Sequence, residues 1–246
     1  MNLDKISSVK QAILSKYKYR TELHAHTSPG SMCADFAPED VLKYYEGYDS
    51  IAITNHFIYQ ERFLRFDKEP TAEEYVRWFL ADYNKAKDVS PKYNLNVILG
   101  AEIRFSENNN DYLVYGIDEK ILIEIYKSLE YGIEGFKKND ALNQVLIIQA
   151  HPFRNGMEEI NPDWIDGIEG FNMHSGHNSR IAKTVKFAKD NNKTILTAGS
   201  DFHHINGEKM AALLTDRLVH NSFELADILR EQNYALEISE NSIILP

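Results

Sequence analysis

Short apolar runs separated by longer stretches of mixed polarity set the rhythm of the chain. The runs fall at Thr21 to His24, Ser50 to Thr54, Val97 to Ala101, Leu113 to Gly116, Val145 to Ala150, Gly167 to Phe171 and Thr194 to Ala198. Short runs rich in β-branched residues predict strands. Between them lie segments with helical spacing: PEDVLKYYEGY, TAEEYVRWFLADYNKAK, NSRIAKTVKFAKDNN and SFELADILREQN. Pro38 followed by Glu39 and Asp40 marks one helix start, where the N-terminal dipole favours acidic residues. Strand–helix alternation predicts an α/β fold with a mostly parallel sheet, open or closed into a barrel. No repeat, low-complexity segment or Gly/Ser linker interrupts it, so residues 1–246 are expected to form a single domain.

In both architectures the chemistry sits at the carboxyl ends of the strands. RTEL leads into His24 and His26, and SIAIT into Asn55 and His56. NVILGA is followed by Glu102, VLIIQA by His151, and DGIEGFN by His174 and then His177. TILTAGS is followed by Asp201, His203 and His204. Strand side chains repeat with period two, so His24 and His26 share a face and can offer two corners of a metal shell. Taken singly, each residue has a plainer reading: His56 as a helix cap, Glu102 as a solvated acid, Asp201 as an N-cap. His220 and His204 are read as surface histidines. Repeated placement at strand ends is what coincidence explains poorly. The set is richer than one zinc site needs, which points to two or three ions with Glu102 bridging two of them.

Composition narrows the partners. A net charge of -10 across 246 residues excludes a broad basic face for nucleic acid or membrane. The single cysteine, Cys33, rules out an internal disulfide framework and fits a reducing compartment. The N-terminus lacks the apolar core of a signal peptide and no run is long enough to span a membrane, so a cytoplasmic location is expected.

The series ELHAHTS, AITNHF, GAEIRF, QAHPFR and GSDFHH resembles the motif set of the PHP (polymerase and histidinol phosphatase) family. The surrounding wording (GYDSIAITNHF, NDYLVYGID, IIQAHPFRN, LTAGSDFHH) is most similar to stand-alone bacterial PHP hydrolases. The resemblance implies a distorted seven-stranded (β/α) barrel with two or three Mn, Fe or Zn ions at the C-terminal ends of the strands, hydrolysing phosphate esters. Carried over by position, His24, His26, Glu102 and Asp201 hold the first ion, and Glu102, His151 and His174 the second. His56 and His203 hold a third with a loop residue. Water activated between the ions attacks phosphorus, with Glu102, Asp201 and His203 around it.

Two departures stand out. The second motif usually reads Thr-Asp-His but is Thr54-Asn55-His56 here, and Asn55 is expected to support a ligand rather than be one. The loop after the first motif offers Cys33, with Asp35 close behind, as the third ion's ligand. His177 is a second candidate beside His174. Arg154 and Arg180 are candidates to clamp phosphate bidentately, with a surface ion pair as the plainer reading of each. The expected substrate is a small phosphate monoester, as in a histidinol-phosphatase-like or a nucleotide or metabolite phosphatase. The alternatives are a phosphodiesterase or exonuclease acting on nucleotide ends, a metal-binding module without catalysis, and a barrel amidohydrolase. The last is disfavoured because no lysine sits at a suitable strand end and Asp201 belongs to a DxH pair.

Overall fold

A computed structural model describes residues 3–204, 209, 211–239 and 242–246. The strands are β1 (Tyr19–Ala25), β2 (Ser50–Ile53), β3 (His56–Ile58), β4 (Asn96–Leu99), β5 (Ala101–Arg104) and β6 (Asp111–Tyr115), followed by β7 (Leu146–Gln149), β8 (Gly167–Asn172), β9 (Ile195–Gly199), β10 (Ala211–Thr215), β11 (Tyr234–Ile238) and β12 (Ser242–Ile244). The helices are α1 (Leu3–Lys16), α2 (Pro38–Tyr44), α3 (Arg62–Arg65), α4 (Ala72–Val89), α5 (Glu119–Ser128), α6 (Gly132–Lys137), α7 (Ile181–Asp190) and α8 (Ser222–Glu231).

Hydrogen bonding groups the strands into two six-stranded sheets, β12-β11-β10-β1-β2-β4 and β3-β5-β6-β7-β8-β9. The fold is mixed α/β, as the strand–helix alternation predicts, but half of the strand pairs are antiparallel where a mostly parallel sheet is expected. The pairs β1–β2, β2–β4, β3–β5, β7–β8 and β8–β9 are parallel. The pairs β5–β6, β6–β7, β1–β10, β10–β11 and β11–β12 are antiparallel. The reason is local: β5 and β6 are joined by the short turn 105–110, too short for the crossover that a parallel pair requires.

The sheets meet where strands kink. Gly100 separates β4 from β5, and its N–H donates to Ile53 O at 3.0 Å while Glu102 N donates to Asn55 O at 3.1 Å. A Cβ at Gly100 would collide with the Thr54 side chain, so only glycine permits this approach. At the other end Phe202 bridges to Ala25, with Phe202 N donating to His24 O and His26 N to Phe202 O. The carboxyl ends of β1, β7 and β9 and the start of β5 are thereby gathered at one place.

Alternation along the strands sorts the core into an inner and two outer layers. Leu113, Leu146 and Ile148 face a common interior with Ala52, Ile98, Ala198 and Leu213. Their neighbours Tyr112, Val114 and Ile147 face outward, beneath Tyr75 and Phe79 of α4 and Ile121 and Ile125 of α5. Ile51, Ile53 and Val97 pack under Val41 and Leu42 of α2. Helix α4 starts in a capping box, Thr71 accepting from Glu74 N and Glu74 accepting from Thr71 N. No helix among the described residues is long and apolar enough to cross a membrane.

Candidate metal centre

His24 and His26 reach the end of β1 fully buried. Their Nε2 atoms lie 3.1 Å apart. His24 Nε2 is 3.4 Å from both Glu102 Oε1 and Asp201 Oδ1. His26 Nε2 is 3.4 Å from Glu102 Oε2 and 3.6 Å from Asp201 Oδ1. Two ligand atoms bound tetrahedrally at 2.0–2.1 Å stand about 3.4 Å apart, so this spacing is that of a coordination shell.

The hydrogen-bond network aims both Nε2 atoms inward. His24 Nδ1 donates to Glu169 Oε1 at 2.9 Å. Glu169, buried in β8, also accepts from His151 N at 2.8 Å and from Asn172 Nδ2 at 2.9 Å. On the other ring, Ser31 Oγ donates its one proton to Asn55 Oδ1 at 3.1 Å, so it accepts from His26 Nδ1 at 2.9 Å. Asn55 Nδ2 donates to Thr27 Oγ1, which donates to the buried carboxylate of Asp82 at 2.8 Å. Asp82 can only accept, so it orients the whole relay Asp82–Thr27–Asn55–Ser31–His26. An aspartate at 55 would set a second acceptor against a hydroxyl already committed to Asp82. The amide answers to Asp82, so Asn55 stands behind His26 in the hydrogen-bond relay rather than among the clustered donor atoms.

Electrostatics agree with this protonation. Burial and the neighbouring His203 charge keep the His26 pKa well below its ordinary value, so the ring is neutral. Burial opposes a charge on His24 too, but Glu169, Asp201 and Glu102 outweigh it and raise its pKa well above normal. His24 thus carries a proton on Nε2 that satisfies the close contact with His26. A divalent cation is the chemical replacement for that proton. Burial resists ionisation of Glu102 and Asp201, yet His24 and its companion histidines hold both carboxyl groups well below the usual range.

Further donors surround this centre. His151 Nε2 lies 2.8 Å from Glu102 Oε1, and His56 Nδ1 lies 3.0 Å from Glu102 Oε2. Both oxygens of Glu102 are therefore engaged on different sides, the geometry expected of a bridge. His26, His56 and His203 form one group of donors whose atoms lie within 4.8 Å of each other, and His24, His151 and Asp201 form another. His151 and Asp201 sit at positive φ, 26° and 51°, a conformation L-residues adopt only under constraint. Each turns a side chain inward at the point where its strand stops.

The remaining candidates divide. Cys33 Sγ lies 3.2 Å from His56 Nε2, and although burial opposes ionisation, hydrogen bonds with His203 and His56 lower its pKa to about 6. Asp35 points away and pairs with the exposed His204 at 2.7 Å. His174 joins none of the donor groups found among the described residues. Its ring lies tilted against that of His177 on the cavity wall, centroids 4.5 Å apart, and its Nδ1 accepts from Gly176 N. Beside Glu102 and His151 the structure instead places Asp111, a residue the sequence reading passes over. Arg154 reaches the centre, donating to Asp201 Oδ2 at 2.5 Å and to Asn172 Oδ1 at 3.1 Å. Arg180 is exposed and donates to Asn155 at 2.6 Å, away from the donor cluster.

Glu169, Asn172, Ser31 and Asp82 are also missing from the sequence reading. An acid inside the apolar run GIEGFN was a usable signal, because an unpaired carboxylate is seldom buried in a strand. Nothing in the local sequence marks Ser31 or Asp82.

No family model and no curated protein matches the chain. Among solved structures it is similar to a two-domain protein from Bacteroides vulgatus containing a predicted PHP-like metal-dependent phosphoesterase, with a TM-score of 0.57 and 14% identity over 90% of this chain. The chain spans 65% of the length of that protein. It is also similar to PsfC from Pseudomonas syringae, with a TM-score of 0.52 and 14% identity over 93% of this chain and 91% of that one. These likenesses establish a shared fold.

Proposed function

We propose that the chain is a metal-dependent phosphoesterase of the PHP type, acting on a small phosphate ester. The observation that carries this reading is the pair of Nε2 atoms 3.1 Å apart, both rings locked from behind and two carboxylates in ligand range. His24, His26, Glu102 and Asp201 would hold one ion. Glu102 and His151, with Asp111 or His174, would hold a second, and His56, His203 and Cys33 a third. A donor set of imidazole and carboxylate with one thiolate suits Mn, Fe or Zn. Such ions supply Lewis acidity that activates water and stabilises charge developing on the phosphoryl group.

The chain's own groups do the rest. Glu169 and Ser31 hold the rings of His24 and His26 in register. Arg154 fixes Asp201, and the exposed part of its guanidinium lines the cavity where a phosphoryl oxygen would sit. Arg180 is left to the surface. The cavity beside the centre measures about 360 Å³ and takes Arg104, Arg154, Met157 and His177 into its wall, a size for a metabolite rather than a polymer. The test is turnover of phenyl phosphate and of a bis-aryl diester by protein stripped of metal and reloaded with Mn, Fe or Zn. Reloading should restore monoester hydrolysis and a chelator abolish it. Faster diester cleavage would favour the phosphodiesterase alternative, and no hydrolysis with any metal would reject the reading.

A further inference from the structure

Arg104 has no part in the metal centre, yet its side chain lines the cavity beside it. Two residues beyond Glu102 on β5, it shares the face of the strand that carries Glu102. One strand period, roughly 7 Å, separates them along the chain. The register pairs Arg104 with Asp111 across the β5–β6 ladder. Nε and Nη2 donate to the two oxygens of Asp111 at 2.7 Å each. Asp111 is 3% exposed while Arg104 keeps 27%, so a buried acid grips the arginine by one edge and leaves the other edge toward the cavity. A guanidinium has five N–H donors, and this grip uses two. Nη1 makes no hydrogen bond to the described residues. The other arginine of the cavity, Arg154, is turned to Asp201 and the metal centre. Asp111 neutralises Arg104 at long range, so Arg104 acts through directed donors at contact distance, suited to a planar or tetrahedral oxyanion.

We propose that Arg104, presented by Asp111, reads a second anionic group of the substrate. The compound hydrolysed then carries a carboxylate or second phosphate about one strand period from the ester phosphorus. This rests on the phosphoesterase reading for the position of the first group, but the Arg104 site can be tested separately by binding.

The experiment uses metal-loaded protein and isosteric pairs: 3-carboxyphenyl phosphate against 3-carbamoylphenyl phosphate, with 1,3-phenylene bisphosphate as the second anionic arm. Wild type should prefer the anionic member by about tenfold or more in kcat/KM, the size of one hydrogen bond between charged partners. The larger of the two anionic preferences identifies carboxylate or phosphate. Arg104→Gln should bring both ratios near one, whereas a merely structural ion pair would slow all substrates and leave the ratios intact. Arg104→Lys keeps a cation beside Asp111 without the guanidinium fork, and should likewise lower both ratios where the Gln change leaves Asp111 unpaired and the protein unfolded. Calorimetric binding of 3-carboxybenzylphosphonate against its 3-carbamoyl counterpart needs no turnover. An Arg104-dependent preference there without hydrolysis would retain this site and reject the phosphoesterase reading. Equal binding and equal turnover of the paired compounds would overturn the proposal.

Discussion

Glu169 is the residue whose change most sharply tests how the centre is held. Its Oε1 accepts from His24 Nδ1, and its Oε2 from His151 N and Asn172 Nδ2. Glu169→Gln preserves shape but supplies only one acceptor oxygen. If that oxygen serves the His151 and Asn172 donors, the new NH2 faces His24 Nδ1, which must then become the acceptor. The one proton left on the ring then sits on Nε2, and freeing that atom for the ion forces the proton back onto Nδ1, against the amide NH2. If the amide turns the other way, two donors lose their acceptor in a fully buried place. Either arrangement removes one charge-assisted hydrogen bond, worth about 1.5–3 kcal/mol, which is roughly a 10- to 100-fold loss of metal affinity. Removing the Glu169 charge also weakens the hold on the His24 proton, which opposes the loss at low pH. The clean measurement is a competitive Zn or Mn titration at pH 8, with circular dichroism to check the fold. Metal affinity within twofold of wild type in a folded variant would refute the tautomer argument.

Asp82→Asn should loosen the relay behind His26, because an amide can donate back to Thr27 and reverse every orientation up to Ser31; a metal affinity lowered about tenfold in a competitive titration is expected. Metal affinity should fall as pH falls, because the His24 pKa is raised and its Nε2 proton must leave before an ion binds; isothermal titrations in buffers of different ionisation enthalpy should detect that proton's release. Cys33→Ser should lose one metal equivalent and keep the others. With its pKa near 6, the thiol of the metal-stripped protein should alkylate rapidly at pH 7 and be protected after reloading, whereas rapid alkylation of the loaded protein would remove Cys33 from the ligand set.

The donors at strand ends were legible because they follow from one rule applied repeatedly. His24, His26, Glu102, His151 and Asp201 all fall directly after apolar runs, and the structure gathers them. The helices read from periodicity, Pro38–Tyr44, Ala72–Val89, Ile181–Asp190 and Ser222–Glu231, are where the pattern places them. Sheet pairing was less legible, because direction is set by connections. The turn 105–110 makes β6 antiparallel, and β10 to β12 add an antiparallel extension beside β1 that no run before Ala198 foretells. Supporting residues were hidden for a related reason. Asp82 lies on the buried side of α4, where its spacing reads as a helix position, and only the tertiary approach of the Thr27–Ser31 loop gives it a task. His174 shows the converse, a motif position that the loop 173–180 sets on the cavity wall beside His177, while Asp111, unmarked by any motif, stands beside Glu102.

The central claim is that these side chains build a centre for more than one ion. It is tested most directly by elemental analysis of the protein purified without chelators after growth with added Mn and Zn, alongside Glu102→Gln prepared in the same way. The account predicts at least two transition-metal equivalents per wild-type chain and a deeper loss for Glu102→Gln than for His151→Ala, because both Glu102 oxygens face donor groups. Less than one equivalent in the wild type, or full occupancy in Glu102→Gln, would contradict it.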